Sequence, residues 1–320
     1  MSSLEVLDLS DNNLSGSLPQ CSHNFGDSLL ILDIRRNKFE GRIPQTWTKG
    51  SKLMVINFSQ NKFQGWLPRS LAKGKMVKAL DLSNNQFNDT FPSWLGNLPN
   101  LKVLILRSNK FYGPIKTPKA NHKFPNLQIV DLSYNGFTGR LPLKFFQNSN
   151  SLSFDGAEHL TYIQVNSSIN LPDNQEYTWN LEYSYSMIMT NKGVDTVYSK
   201  VQEFFTAVDF SSNQFAGDIS ESIGNLIGIR LLNLSNNILT GCIPPCLGKL
   251  AKLESLDLSQ NKLLGEIPQQ LTQLTFLESF NVSHNNLVGP IPHGKQFDTF
   301  QSSSFEGNSG VVWKPIDKEM

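Results

Sequence analysis

One asparagine recurs through this 320-residue chain at a nearly fixed interval. It stands at Asn12, Asn37, Asn61, Asn85, Asn109 and Asn135, then again at Asn213, Asn237, Asn261 and Asn285. Neighbouring copies lie 24–26 residues apart, except for one interval of 78 between Asn135 and Asn213. Each copy sits in the frame L-x-x-L-x-L-x-x-N-x-L/F-x-G-x-I/L-P, read most clearly from Leu253 to Pro268. Self-similarity at such a period means that each unit is one small turn of chain that must lean on its neighbours to bury anything.

Each place in the frame has a physical task. The last two leucines of L-x-x-L-x-L alternate with outward residues, the period of a short strand buried on one side. Such strands, stacked ~4.8 Å apart, make a continuous parallel sheet, and ten of them a concave surface ~45 Å long. The asparagine ends the strand where the chain turns inward, and its amide has donors and an acceptor for backbone groups that the turn leaves dry. An unpaired buried group costs about 1–3 kcal/mol, so the residue is under pressure in every copy. Two residues on, Leu14, Phe39, Phe63, Phe87, Phe111, Phe137, Phe215, Leu239, Leu263 and Leu287 are expected to stack as a second apolar column. Asp89 in place of the frame glycine, and Lys116 and Ser220 in place of the proline, are expected to alter local geometry and leave the fold intact.

This frame resembles the leucine-rich repeat, and its G-x-I-P half is similar to the plant-specific subclass. The fold class is then α/β: a plant-type leucine-rich repeat solenoid, a curved right-handed superhelix with a parallel β-sheet on its concave face, interrupted by an insertion. The expected organisation is repeats 1–6 over residues 1–142, an insertion over 143–203, repeats 7–10 over 204–292, and a C-terminal flank or incomplete cap over 293–320. The insertion carries no repeat frame and is rich in tyrosine, from Tyr162 and Tyr177 to Tyr183, Tyr185 and Tyr198. This layout is similar to plant leucine-rich repeat receptor-like proteins, where the insert is called the island domain. The tyrosine, lysine-glycine, tyrosine arrangement of Tyr183, Lys192-Gly193 and Tyr198 carries the resemblance further, as do Phe280-Asn-Val-Ser-His-Asn285 and Ser304-Phe305-Glu-Gly-Asn308.

The resemblance implies a non-enzymatic recognition module on the extracellular side of the plasma membrane, acting in plant defence or development. Its implied partners are an extracellular peptide, protein or glycan ligand and leucine-rich-repeat co-receptor kinases. A soluble protein similar to polygalacturonase inhibitors stands as an alternative, and a truncated product without independent function as another. The chain begins inside a repeat at Leu4-Glu-Val-Leu7, with no basic and apolar leader, no cysteine-paired cap and no apolar run of membrane length, and it reads as a fragment of a longer ectodomain.

Composition excludes other classes. The formal net charge of +1 removes the electrostatic basis for binding nucleic acid. The five histidines have no metal spacing, no phosphate-binding loop occurs, and no metal or cofactor is expected. The outward strand positions Asp8, Asp33, Asn57, Asp81, Ile105, Asp131, Asp209, Asn233, Asp257 and Asn281 form one stripe. Adjacent carboxylates there invite comparison with a glycosidase pair. Aspartate is the repeat's own preference at this place, which argues against catalysis.

Residues that break the internal consensus are the better binding candidates: Arg35, Arg36, Ile105, Arg107, Tyr134 and His284, with Tyr183, Lys192, Gly193 and Tyr198 in the insertion. Arg35, Arg36 and Arg107 together suggest a basic patch for an acidic ligand. N-glycosylation acceptors stand at Asn13, Asn57, Asn88, Asn166, Asn233 and Asn281. Three cysteines are too few for a disulfide scaffold. Between Cys242 and Cys246 two extended prolines are expected to hold the Cα atoms beyond the ~7 Å limit, giving two buried thiols, with a disulfide as the alternative.

Overall fold

The computed structural model describes residues 4–19, 28–45, 47, 50–116, 124–146, 149, 152, 161–170 and 178–312, with 166–170 and 178–182 described as backbone. Its centre is one parallel sheet of ten three-residue strands in chain order: Val6–Asp8, Ile31–Asp33, Val55–Asn57, Ala79–Asp81, Val103–Ile105, Ile129–Asp131, Ala207–Asp209, Leu231–Asn233, Ser255–Asp257 and Ser279–Asn281. We number the coils 1–10 from these strands. The register is that of the repeat, so the stripe from Asp8 to Asn281 runs straight across the sheet. The insertion leaves no trace in it, since Asp131 of coil 6 pairs directly with Asp209 of coil 7.

The asparagine column ties each coil to the one before. In coil 4 the Asn85 amide donates to Phe58 O of coil 3 at 2.9 Å and to Leu82 O and Ser83 O of its own coil at 3.2 and 3.0 Å. Its oxygen accepts from Phe63 N at 3.0 Å. The same pattern crosses the insertion: Asn213 donates to Leu132 O at 3.0 Å and accepts from Phe137 N at 3.1 Å. The residue before each ladder asparagine is left-handed, from Asp11 (φ 56) through Arg36 (φ 52) and Tyr134 (φ 54) to His284 (φ 54). That conformation turns the chain off the strand and aims the following amide inward.

Beneath the ladder the second apolar column is built. Phe39, Phe63, Phe87, Phe111, Phe137 and Phe215 stack with successive centroids 6.0–6.4 Å apart, the last step spanning the insertion. Leu239, Leu263 and Leu287 continue it, fully buried, whereas Leu14 at the first coil is 40% exposed. Aromatic pairs at such spacings contribute ~0.5–1.5 kcal/mol each beyond their area. The helical part of the α/β solenoid is short: 3₁₀ turns such as Arg69–Lys73, Ser93–Asn97, Pro245–Lys249 and Gln269–Gln273, each preceded by the frame proline.

The frame glycine needs φ between 76° and 89°, for example at Gly16, Gly65 and Gly241. Aspartate avoids that region, and the secondary sheet has one break after the coil of Asp89 and another between coils 8 and 9: Ser15–Ser17, Lys38–Gly41, Lys62–Gly65 and Gln86–Phe87 form one sheet, Tyr112–Pro114, Gly136–Gly139, Gln214–Asp218 and Ile238–Thr240 a second, and Leu264–Gly265, Asn286–Pro290 and Gly310–Val312 a third. The main sheet continues past the fault. The cost is local, as expected.

Two placements differ from the sequence-based boundaries. Leu143, Phe145, Phe146 and Leu152 lie in the main core, so these residues pack with the repeats and not with the hairpins of the insertion. At the other end, the flank expected to be an incomplete cap supplies an eleventh rung. The Asn308 amide donates to Val282 O and Phe305 O at 3.0 and 2.9 Å and its oxygen accepts from Leu287 N at 3.1 Å. Gly307 before it is left-handed too (φ 73), and Phe297, Phe300 and Phe305 close over Phe280 with centroids 4.9–5.8 Å away.

Replacement of Asn85 by alanine is expected to lower unfolding free energy in urea by at least ~1–3 kcal/mol, because buried carbonyls and an amide lose their partner. Asn12 is exposed and its amide donates only to Leu9 O and Ser10 O of its own coil, so Asn12→Ala should cost far less. Equal losses would mean that the ladder carries no load.

Candidate functional site

The insertion folds as two antiparallel hairpins. The first pairs Gln164–Asn170 with Thr178–Ser184, and the second Met187–Asn191 with Val194–Tyr198. Lys192 and Gly193 are the whole turn of the second, with φ of 53° and 78°, and a left-handed pair of this kind is what a two-residue hairpin turn requires. Their spacing in the sequence thus encodes a tight reversal.

The hairpins lie on the concave sheet. Ile163, Val165, Tyr185, Met187, Met189 and Val201 pack in one buried cluster with Ile31, Val55, Ala79, Val103, Ile129, Ala207 and Leu231. The expected open stripe is therefore covered: Asp33, Ile105, Asp131 and Asp209 are fully buried, and Asn57, Asp81 and Asn233 nearly so. A signal for this was present in the chain. The outward strand column reads Val6, Ile31, Val55, Ala79, Val103, Ile129, Ala207, Leu231 and then Ser255, Ser279. Eight apolar outward residues followed by two serines mark where a cover begins and ends.

Polar contacts fix the cover along the coils. Ser186 Oγ accepts from Arg35 at 2.7 Å, Tyr183 OH donates to Asp33 at 3.2 Å, and Arg107 donates to Asp195 at 2.9 Å. On the other rim Lys102 pairs with Glu203 at 2.7 Å and the Gln128 amide donates to Glu203 O at 2.6 Å. At the hairpin tip Lys192 forms an ion pair with Glu278 of coil 10. The second hairpin thus reaches from coil 2 to coil 10.

These contacts revise several binding candidates. Ile105 is core under the insertion and touches no solvent, which corrects its reading as an exposed contact. The basic patch is not free: Arg35 and Arg107 hold the insertion, Arg107 also lies 5.3 Å from the Tyr134 ring, and Arg36 pairs with Asp11 at 3.1 Å. Tyr198 OH accepts from Asn191 at 2.8 Å and its ring meets Phe205. His284 is exposed and sits against Gly307, where an added Cβ would fall 2.4 Å from its Nδ1. Exposed in this group are Arg36, Tyr134 (52%), Lys192, Gly193 and His284.

Beside the second hairpin runs a cleft of about 100 Å³, lined by Arg35, Arg36, Gln60, Asn84, Ile188 and Val197, with Asp81 at its floor. One wall is the row of left-handed rim residues and the other is the hairpin. Val194 and Val197 of that hairpin are each 66% exposed. These two were missed because nothing in their spacing distinguishes them from buried strand residues.

The stripe aspartates have structural work. Asp81 accepts from Ser83 N at 2.9 Å, and Asp131 and Asp209 repeat the turn at Ser133 and Ser211. Loss of water pushes the Asp81 carboxyl up to about 6. Burial, with the neighbouring Asp131 charge, pushes Asp209 up to about 8. Burial also raises Asp33 and Asp131, whose Oδ2 has no hydrogen-bond partner. Among the described residues no group of three or more His, Cys, Asp or Glu could hold a metal. Cys242 and Cys246 are both free thiols. Cys246 is buried, which together with its hydrogen bond to Glu221 O pushes it up to about 11. Cys242 is exposed, correcting the expectation of two buried thiols; Cys21, His23, His122, His159 and Tyr177 lie outside the described residues.

The leucine rich repeat family models match residues 75–137, and 3–25, 228–250 and 252–274. Receptor-like protein 31 of Arabidopsis thaliana is 47% identical over 232 residues, covering 71% of this chain and 26% of that protein. Receptor-like protein 53 of the same plant is 41% identical over 233 residues, covering 72% and 23%. The chain belongs to the plant leucine-rich repeat receptor-like proteins. It spans about a quarter of the length of these curated relatives. Among solved structures, the Arabidopsis receptor kinase HAESA, in complex with the peptide hormone IDA and the co-receptor SERK1, superposes with a TM-score of 0.72 and 26% identity, covering 99% of this chain and 43% of that one. A TDR receptor superposes with a TM-score of 0.68 and 24% identity, covering 97% and 43%.

Two expectations follow. A carboxyl raised on folding binds its proton more tightly in the folded chain, so its contribution is complete below about pH 4 and is lost as pH rises through the folded value. For Asp81 and Asp209 the window runs up through about 6 and about 8. The melting temperature should therefore fall by several degrees between pH 5 and pH 8.5, and Asp81→Asn should flatten that slope in calorimetry. Second, Asn13 and Asn88 are exposed, whereas Asn57 and Asn233 are buried with their oxygens accepting from Ser59 N and Ser235 N at 3.1 Å. Glycopeptide mapping of folded, secreted material should find sugar at the first two and none at the second two. Asn281 is half-buried in the same kind of turn, and the Asn166 side chain lies outside the description.

Proposed function

We propose that this chain is the ligand-reading part of a plasma-membrane receptor-like protein, with no chemistry of its own. The observation that carries the reading is the cleft between the second hairpin and the rim of coils 2–4, where Arg36, Gln60 and Asn84 converge with the apolar Ile188 and Val197. Its two walls come from different parts of the chain, its lining mixes apolar and hydrogen-bonding groups, and its floor is rigid; these are the attributes of a site that selects a chain segment by shape and polarity. The occupant is an extended extracellular peptide or protein loop. HAESA, a receptor with this fold, is seen holding a peptide hormone together with a co-receptor, and the present chain is assigned the same division of labour. The half-open sheet at coils 9 and 10, where Asp257, Ser279 and Asn281 are half-buried, is left for a leucine-rich-repeat co-receptor kinase. Signalling then comes from that partner.

Deleting the insertion would be a poor test, because it would expose the apolar column from Val6 to Leu231. Point changes on the exposed side are better. A photo-crosslinking residue at Val197, in the receptor expressed at its natural surface, should capture an extracellular peptide or protein, and one at the exposed Lys249 on a 3₁₀ turn should not. With the crosslinker kept at Val197, Asn84→Asp on the facing rim, exposed and in a left-handed turn that aspartate tolerates, should weaken that capture at least tenfold with an unchanged melting temperature. Equal capture from both positions would remove the cleft from consideration.

A further inference from the structure

On the side of the solenoid away from the ten-stranded sheet, a groove of about 680 Å³ lies between coils 3 and 4, with Asp89 in its lining. Its walls include two of the chain's five tryptophans, Trp66 and Trp94, with Arg69, Lys73, Asp89 and Thr90. Trp66 takes the x place of G-x-L-P, a column otherwise filled by Ser17, Arg42, Thr90, Pro114, Arg140, Asp218, Cys242, Glu266 and Pro290. Nothing in the scaffold calls for an indole there, and it stands 42% exposed. The Arg42 guanidinium lies 5.5 Å from the ring and holds its plane. Trp94 leans on the main core with part of its surface open.

Asp89 is fixed as firmly. Its two oxygens accept from Leu67 N at 3.1 Å and Thr90 N at 2.7 Å. An ionised carboxylate has about four acceptor sites, so two remain for hydroxyl donors. Arg69 and Lys73 are exposed at the 3₁₀ turn beside it. With Arg42 the local balance is three cations against one anion.

We infer that this groove binds a short acidic oligosaccharide. Sugar rings present flat C–H faces that suit exposed indoles, which offer apolar area at low entropic cost. Their hydroxyls suit Asp89 and Thr90. Uronate carboxylates suit the guanidinium of Arg69, with its planar fork, and the Lys73 ammonium. An acidic peptide would satisfy the charges, but the open acceptor sites of Asp89 call for hydroxyl donors, which a sugar supplies on every ring; the acidic peptide is therefore the competitor in the test. The site is separate from the hairpin cleft, so its fate does not depend on that of the peptide reading.

The test uses the whole chain made without N-glycans, because Asn88 is exposed next to the groove. Short oligogalacturonate is titrated against it by calorimetry and tryptophan fluorescence, with the fully methyl-esterified oligomer as the uncharged counterpart. The expected result is quenching with saturable binding of the free acid and at least tenfold weaker binding of the ester. Trp66→Ala and Arg69→Gln should each weaken binding at least tenfold while melting temperatures stay unchanged. Absence of binding by the acid, equal binding of acid and ester, or an unaffected Trp66→Ala protein would each overturn the assignment. Tighter binding of an acidic peptide than of the sugar would overturn it as well.

Discussion

A ladder asparagine holds two coils at once. Its amide reaches a carbonyl of the preceding coil as well as two of its own, and its oxygen takes an N–H from the apolar-column residue of the preceding coil. Without that side chain the inward turn would bury peptide groups with no partner, and each coil would have to be hydrated where it now stacks. The parallel sheet, the phenylalanine column and the left-handed rim all depend on this one amide. Because contacts run only between neighbours, the array tolerates a long excursion between coils 6 and 7 without losing a rung.

The insertion turns a generic scaffold into a particular surface. A bare concave sheet with valine, isoleucine and alanine facing outward would be an aggregation hazard. The two hairpins remove it and install a second core. They do so at an electrostatic cost, since the aspartates that cap the strand ends of coils 2, 4, 6 and 7 are taken out of water along with the apolar column. Their carboxyls answer by holding protons, which makes the seating of the insertion an acid-favoured state. The arginines that look like a free basic patch are the pins of this cover.

The two surfaces argued for recognition arise from departures from regularity. Beside the hairpin, the cleft exists because a non-repeating segment meets a repeating edge. On the opposite side, the groove is lined by Trp66 and Asp89, two residues that depart from what the other coils carry at their places. In a solenoid the sequence that fails to repeat is where selectivity resides.

The number of coils, their register, the asparagine column and the apolar column behind it were all legible in the chain, because a repeated local pattern is written in spacing alone. Even the cover was hinted at by the switch from Leu231 to Ser255 and Ser279. Which residues meet across that cover was not legible. Arg35 and Ser186 stand 151 positions apart, and Lys192 and Glu278 stand 86 apart. No period links them; only the way the hairpins seat on the sheet brings them together. For the same reason Ile105 looked exposed and proved to be core, and Asn308 was missed as a rung because its coil lacks the leucine strand that announces the others. Short-range periodicity specifies a scaffold through steric and hydrogen-bond rules that every coil obeys. The face left open to a partner depends on long-range packing of the one segment that obeys none of them.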